Sequence, residues 1–155
     1  MTTFDEERVR EYYAIWKTGN PDKVIEFFAS GAVFEDLAFD AKFEGLDAIR
    51  SFAVLTYNGV PDFCVVPQQI VVSGSHAAAS WIMSGTHSGD LPGLPATGKT
   101  FEVRASSIIQ TQGSQILHIT DYWNLVSLSE GRRLDIVNSI QTRTEREGST
   151  NVYLR

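Results

Sequence analysis

The feature that most constrains the fold is a change of pattern near the middle of the chain. Up to about residue 61, apolar residues follow helical spacing that glycine and proline interrupt; beyond it, β-rich segments follow one another. These segments span roughly 63–73, 76–87, 99–111 and 115–125. Because short turns join most of them, neighbouring strands are predicted to pair antiparallel. The chain is therefore predicted to be an α+β domain, in which a curved antiparallel sheet wraps around N-terminal helices like a cone.

Three helices are predicted in the first half. Pro21 opens the second helix and Gly31 closes it, before the strand-like stretch AVFEDLAF. The third covers FEGLDAIRSFAVLTY, with Asp47 as its expected cap. The first ends before Gly19-Asn20-Pro21, and its apolar stripe comprises Val9, Tyr12, Tyr13 and Trp16.

The chain is predicted to form one domain over residues 1–145. A length of 155 residues with 43% hydrophobic content suits a single core. A helix is expected from Leu134 to Thr144, and residues 146–155 read as a polar tail, either loose or docked on a partner subunit.

Composition argues against several partner classes. The net charge is -6 and no basic cluster is longer than Arg132-Arg133, so nucleic acid is not expected as a partner. No apolar run is long enough to cross a bilayer, so no membrane association is expected. A single cysteine, Cys64, and a charged N-terminal stretch without an apolar signal core favour a cytoplasmic location.

No cofactor or metal is expected. The three histidines are far apart, and neither H-x-x-x-H nor C-x-x-C spacing occurs. The sequence GTHSGDLPG lacks the G-K-S/T ending of a phosphate-binding loop, and TGKT runs into a strand instead of a helix.

The stretch QILHITDYWNL places a carboxylate among large apolar groups. Strand alternation puts Asp121 on one face with Ile119 and Trp123, opposite His118 and Tyr122. An unpartnered buried carboxylate costs on the order of several kcal/mol, so Asp121 is either satisfied by a partner or used in chemistry.

Two glycine- or aromatic-rich stretches resemble the SnoaL-like polyketide cyclases of the nuclear transport factor 2-like superfamily, which have a cone-shaped, cystatin-like fold. They are GTHSGDLPGLPATGKTF, with its P-x-TGK ending, and ILHITDYWNLVSL, with an aspartate before two aromatic residues. The N-terminal half, from YYAIWKTG to DAIRSF, is also similar to bacterial ketosteroid isomerases. The resemblance implies a homodimer that meets through the outer sheet face, including His118 and Tyr122.

The resemblance also implies catalytic residues. Asp121 lies where the cyclases keep an acid/base aspartate, and where limonene epoxide hydrolases keep the base that activates water. Asp36 and Tyr12 lie where ketosteroid isomerases keep a proton-shuttling aspartate and a tyrosine that donates to an oxyanion. Two carboxylates placed close together would have different pKa values, so that one acts as acid and the other as base.

The chain departs from both enzyme types. The second oxyanion donor of the isomerases falls near Ser106 or Ser107, and the arginine-x-aspartate pair of the epoxide hydrolases falls near Trp81 and Met83. Neither mechanism transfers whole. Polar partners for Asp121 are expected among His87, Arg104, Ser107 and Tyr13, and the pocket lining is expected to include Trp16, Phe34, Trp81, Met83 and Trp123.

Each assignment has a structural alternative. Asp121 could be held by a backbone N–H or by Arg104, Asp36 could end a strand, and Tyr12 could belong to an aromatic core. The predicted function is cyclisation or isomerisation of a small hydrophobic carbonyl or polyketide-like molecule by proton transfer. The alternatives are opening of an epoxide by the same aspartates and a non-catalytic dimeric module that binds a small ligand.

Overall fold

The computed structural model of the protein describes residues 3–130. The predicted helix 134–144 and the tail 146–155 lie outside the described residues, so the domain limit at residue 145 stays a prediction. The helices are α1 (Glu6–Ile15), α2 (Pro21–Ile25), α3 (Leu46–Gly59) and α4 (Leu125–Ser129), with a 3-10 turn at Trp16–Thr18. The strands are β1 (Phe28–Asp36), β2 (Ala41–Glu44), β3 (Cys64–Ser73), β4 (His76–Thr86), β5 (Thr100–Gln112) and β6 (Gln115–Trp123).

The strands form one six-stranded sheet in the order β2-β1-β6-β5-β4-β3. Strands β3 to β6 make the predicted antiparallel meander. Strand β1, however, pairs with β6 in parallel. The expectation of a fully antiparallel sheet was wrong at this one joint, because β1 and β6 are far apart in the chain and no short turn dictates their direction. The α+β prediction is confirmed.

Local sequence signals explain how the first two helices begin. The Asp5 side chain accepts a hydrogen bond of 2.9 Å from the Arg8 backbone N–H and thereby caps α1. After the 3-10 turn, Gly19 takes the left-handed conformation at φ 67°, which a glycine adopts without steric cost. Asn20 then caps α2, with Pro21 in its first turn as predicted.

Three boundary predictions were wrong. Helix α2 ends at Ile25, and Gly31 lies inside β1 instead of closing the helix. Residues 41–44 form the short edge strand β2, so α3 begins only at Leu46. Gly45 precedes α3 without a side-chain cap, and Asp47 lies in the first turn, where a carboxylate favours the positive end of the helix dipole.

The core lies between the helices and the concave face of the sheet. Strand β5 shows the two-residue period clearly: Phe101, Val103, Ala105, Ser107 and Ile109 are buried, and the residues between them face outward. No helix within residues 3–130 is long and apolar enough to cross a membrane.

Candidate active site

Asp36 and Asp121 are direct neighbours across the parallel joint of β1 and β6. The register pairs Asp36 with Asp121, one step beyond the pair of Glu35 and Thr120. Side chains in register on adjacent strands point to the same face, so both carboxylates face the interior. Asp36 is 3% exposed and Asp121 is 7% exposed. The structure therefore brings together the two aspartates that the sequence singled out separately.

Asp121 is held by a short relay of polar side chains. The Ser107 hydroxyl donates to Asp121 Oδ1 over 2.5 Å, and Trp81 Nε1–H donates to Ser107 Oγ over 2.8 Å. An indole N–H can only donate, so it takes one lone pair of Ser107 Oγ, while the serine proton points to Asp121 Oδ1. When Asp121 carries a proton, that proton consequently lies on Oδ2.

Burial makes Asp121 an unusually weak acid. Desolvation raises the pKa of Asp121 to about 8; the Ser107 hydrogen bond opposes the rise and the nearby charge of Asp36 adds to it. Near neutral pH the group is therefore mainly a carboxylic acid, able to donate a proton.

Asp36 has the surroundings of a carboxylate. Trp123 Nε1–H lies 3.1 Å from Oδ1 and 3.0 Å from Oδ2, and the backbone N–H groups of Ala38 and Phe39 donate to Oδ1 over 3.0 and 3.2 Å. Burial raises the pKa of Asp36, and these donors oppose the rise. The backbone bonds confirm that Asp36 also forms the turn that ends β1, which was its structural alternative.

The two adjacent tyrosines of α1 have different surroundings. Tyr12 packs among the rings of Phe27, Phe28 and Trp16. Tyr13 packs on Trp81, and its hydroxyl is buried without a hydrogen-bond partner among the residues that the structure describes. The charge of Asp121 raises the pKa of both phenols, in each case after the larger effect of burial.

The predicted pocket-lining residues are mostly packed in the core. Trp16 contacts the rings of Phe52, Tyr57 and Phe63, and Phe34 lies against Phe52. Met83 is buried, while Trp123 is half-buried and reaches Asp36. Of the predicted lining set, Trp123 therefore contacts Asp36 directly, and Trp81 reaches Asp121 through Ser107, which was predicted as a polar partner.

Arg104 and His87 do not join the two aspartates. Arg104 lies on the exposed face of β5, opposite Ser107, and so cannot hold Asp121. His87 lies beyond the end of β4, where its Nδ1 is 3.1 Å from Thr97 Oγ1. The loop 87–99 closes there through bonds from the His87 N–H to Lys99 O and from the Gly98 N–H to His87 O. This position favours the role in loop geometry.

The outer face of β6 has the predicted members. His118 Nε2 is 3.4 Å from Glu35 Oε1, and Tyr122 is exposed. Within residues 3–130 there is no group of three or more histidine, cysteine, aspartate or glutamate side chains that could hold a metal ion.

Solved structures share this fold. A hypothetical protein with a ketosteroid isomerase-like fold from Catenulispora acidiphila, in complex with trimethylamine, superposes with a TM-score of 0.73 at 23% identity, covering 84% of this chain and 93% of that one. A proposed polyketide cyclase from Pseudomonas putida superposes with a TM-score of 0.69 at 24% identity, covering 84% of this chain and 98% of that one. A proposed SnoaL-like polyketide cyclase from Jannaschia superposes with a TM-score of 0.70 at 16% identity, covering 84% of this chain and 94% of that one. These likenesses confirm the cone-shaped fold.

The comparison with curated proteins gave no match. A family model does match: residues 6–130 fit the model of the SnoaL-like polyketide cyclases, and this range contains both aspartates and their partners. The chain belongs to the SnoaL-like polyketide cyclase family.

Proposed function

We propose that the protein is a cofactor-free acid/base enzyme that cyclises or isomerises a small hydrophobic carbonyl or polyketide-like compound. The observation that carries the proposal is the buried pair of carboxylates, in which Asp121 has a pKa raised to about 8 beside the hydrogen-bonded Asp36. A pair whose environments differ in this way suits an acid and a base.

The proposed roles follow from the hydrogen bonds. Asp121 donates its Oδ2 proton to the substrate carbonyl oxygen as negative charge develops there. Within the described part of the chain, Asp36 Oδ2 accepts only from Trp123, so it keeps a lone pair for the proton that leaves the neighbouring carbon. The resulting enol attacks a second carbonyl carbon and closes a ring, while its O–H proton returns to Asp121 and the new alkoxide takes the proton held by Asp36. In an isomerisation the O–H proton likewise returns to Asp121, and Asp36 delivers its proton to another carbon.

A second candidate function is non-catalytic binding of a small ligand. The observation that favours it is the packing of Trp16 and Tyr12, which are 5% and 1% exposed and fill the interior with aromatic rings. Opening of an epoxide is a further possibility for the same carboxylates, and the product of the reaction distinguishes it.

We also propose that the protein is a homodimer that meets through the outer sheet face. Exposed apolar side chains on this face support the proposal: Ile108 is 52% exposed, and Tyr122 and Val71 are exposed as well. The register places Val71 opposite Ala78, and Ala78 opposite Ile108, so these residues form one row across three strands.

The experiment that tests the enzyme proposal uses a panel of hydrophobic ketones, lactones and epoxides. Binding is followed by tryptophan quenching and turnover by mass spectrometry, for wild type, Asp121→Asn and the control Asp40→Asn. Asp40 is exposed and has φ 50°, which asparagine tolerates.

We expect Asp121→Asn to bind the substrate and to lose about 100- to 10,000-fold in turnover, while Asp40→Asn retains full activity. Turnover that survives in Asp121→Asn would contradict the proposed role of Asp121. Binding without any turnover by wild type would favour the ligand-binding function.

A further inference from the structure

We propose that Tyr13, and not Tyr12, is a further catalytic residue, whose hydroxyl donates a hydrogen bond to the substrate oxygen that Asp121 protonates. This inference rests on the proposed function and deepens it, since it defines the group that the site recognises. It also differs from the sequence-based expectation, which assigned the oxyanion donor to Tyr12.

The two tyrosines of α1 pack on different strands of the sheet. Consecutive residues of an α-helix point about 100° apart, so the two side chains contact different strands, although their rings lie 5.0 Å from each other, centroid to centroid. The Tyr12 ring lies 5.8 Å from that of Phe28 on β1, centroid to centroid. The Tyr13 ring lies 5.6 Å from Trp81 on β4, at an interplanar angle of 34°. Tyr13 therefore packs on the residue that begins the relay to Asp121.

The Tyr13 hydroxyl is a buried donor whose partner is missing from the described part of the chain. Tyr13 is only 2% exposed. A buried polar group without a hydrogen bond costs about 1–3 kcal/mol, and such groups are rare in folded proteins. A ligand oxygen bound at this point would satisfy it.

The neighbouring polar groups are already engaged. Ser107 lies near the Tyr13 phenol and lowers its pKa, but the pair lacks hydrogen-bond geometry. The serine proton goes to Asp121 Oδ1, and the Trp81 N–H goes to Ser107. Asp121 Oδ2 and the Tyr13 hydroxyl are thus the groups of this cluster that can still donate to a ligand.

Tyr13 stays a donor over the working pH range. Burial and the charge of Asp121 raise the pKa of Tyr13 well above its ordinary value, so the phenol keeps its proton. A ligand oxygen that accepts from both donors needs two lone pairs, as in a carbonyl or an enol, and this is the group that we infer the site recognises.

Calorimetric binding of two probes of equal shape tests the inference. The first probe is 2-naphthol, which carries an accepting oxygen, and the second is naphthalene, which carries none. The proteins are wild type, Tyr13→Phe and the matched control Tyr12→Phe, which removes a hydroxyl from the adjacent buried tyrosine. Thermal unfolding of each variant accompanies the binding measurement.

We expect Tyr13→Phe to lower the affinity for 2-naphthol about tenfold, which corresponds to the loss of one hydrogen bond, and to leave the affinity for naphthalene unchanged. Its melting temperature stays level or rises, because the variant removes an unsatisfied group. Tyr12→Phe should leave the binding of both probes unchanged. Three results would each overturn the inference. The first is an unchanged affinity of Tyr13→Phe for 2-naphthol, and the second is an equal loss of 2-naphthol affinity in Tyr12→Phe. The third is a wild type that does not prefer 2-naphthol to naphthalene, or that binds neither probe.

These results are independent of turnover. If Tyr13→Phe binds 2-naphthol as wild type does and Asp121→Asn still abolishes turnover, only the inference about Tyr13 is wrong. Conversely, Tyr13→Phe could weaken 2-naphthol binding while turnover survives in Asp121→Asn. That combination would contradict the proposed function and leave a binding site that uses the Tyr13 hydroxyl.

Discussion

The two oxygens of Asp121 are chemically different because Ser107 donates to only one of them. Oδ1 accepts from the serine hydroxyl, while Oδ2 is the atom that carries the acidic proton. Trp81 holds Ser107 in place for this bond, because its indole N–H donates to the serine oxygen. Ser107 and Trp81 are thus positioning residues in the proposed mechanism.

Ser107→Ala should raise the pKa of Asp121 further, because the lost hydrogen bond stabilised the carboxylate. It also leaves the buried Trp81 N–H without its acceptor, which costs about 1–3 kcal/mol of stability. Carboxyl carbon NMR titration and urea unfolding measure the two effects. Ser106→Ala, on the exposed face of the same strand, is the control and should change neither; equal pKa values in wild type and Ser107→Ala would contradict the relay.

Asp121→Asn should gain stability relative to wild type as pH rises from about 4 to 8. The pKa of Asp121 is about 8 in the folded protein against an ordinary 3.8, so in this interval the folded state binds more protons than the unfolded state. The stability of wild type therefore falls with rising pH, by up to about 1.4 kcal/mol per pH unit, and asparagine removes this loss.

Unfolding free energies at several pH values measure the difference between the two proteins. Asp40→Asn is the control for the loss of an exposed carboxylate. A difference for Asp121→Asn that does not change with pH would show that Asp121 ionises at its ordinary pKa.

Strand periodicity alone was enough to predict the face of Asp121. The expectation that Arg104 could hold Asp121 was wrong, although the same rule would have excluded it: Arg104 and Ser107 are three apart on β5, so their side chains point to opposite sides of the sheet. The choice between Tyr12 and Tyr13 could not be made from the sequence. Both belong to one apolar stripe, and only the packing of α1 shows which hydroxyl lacks a partner within residues 3–130.

At the scale of elements, a close backbone contact fixes the loop 87–99 against α3. A Cβ added to Gly89 would lie 2.0 Å from the carbonyl oxygen of Asn58, which is backbone and cannot swing away. The N–H groups of Ser88 and Gly89 both donate to Gly59 O. The loop that ends in P-x-TGK is therefore tied to the C-terminal end of α3.

Gly89→Ala should destabilise the protein by about 1–3 kcal/mol, because the methyl group forces this contact apart. Gly31→Ala is the matched control: its added Cβ meets nothing within 4 Å, so stability should change little. Urea unfolding measures both variants. Equal stability of the two would contradict the close packing of the loop on α3.

The long strands were predictable because each has a sustained two-residue period bounded by turn residues. The short strand β2 was missed, since its four residues resemble the start of the helix that follows and depend on pairing with β1. The last strand ends at Trp123 instead of residue 125, because Asn124 caps α4 with a bond of 3.0 Å to the Val126 N–H. Tertiary pairing decided the first case, and local capping the second.

At the scale of the whole molecule, Ile108→Lys tests the proposed dimer. A charge in the middle of the row formed by Val71, Ala78 and Ile108 should separate the subunits, because burying it unpaired is costly. Sedimentation velocity should show a dimer for wild type and a monomer for the variant. Leu55→Lys, an exposed apolar position on α3, should remain dimeric; a monomeric wild type would contradict the proposal.

The parallel joint between β1 and β6 has a consequence for the order of events during synthesis. Asp36 and Trp123 are 87 residues apart in the chain, and β1 has no place in the main sheet until β6 has formed. Contacts of such long range form late in folding, since the entropy cost of closing the chain precedes the gain. A nascent or partly folded chain therefore carries two ordinary solvated aspartates, and the weak acid emerges only when the last strand docks. Folding itself is therefore the step that creates the carboxyl pair on which the proposed chemistry depends.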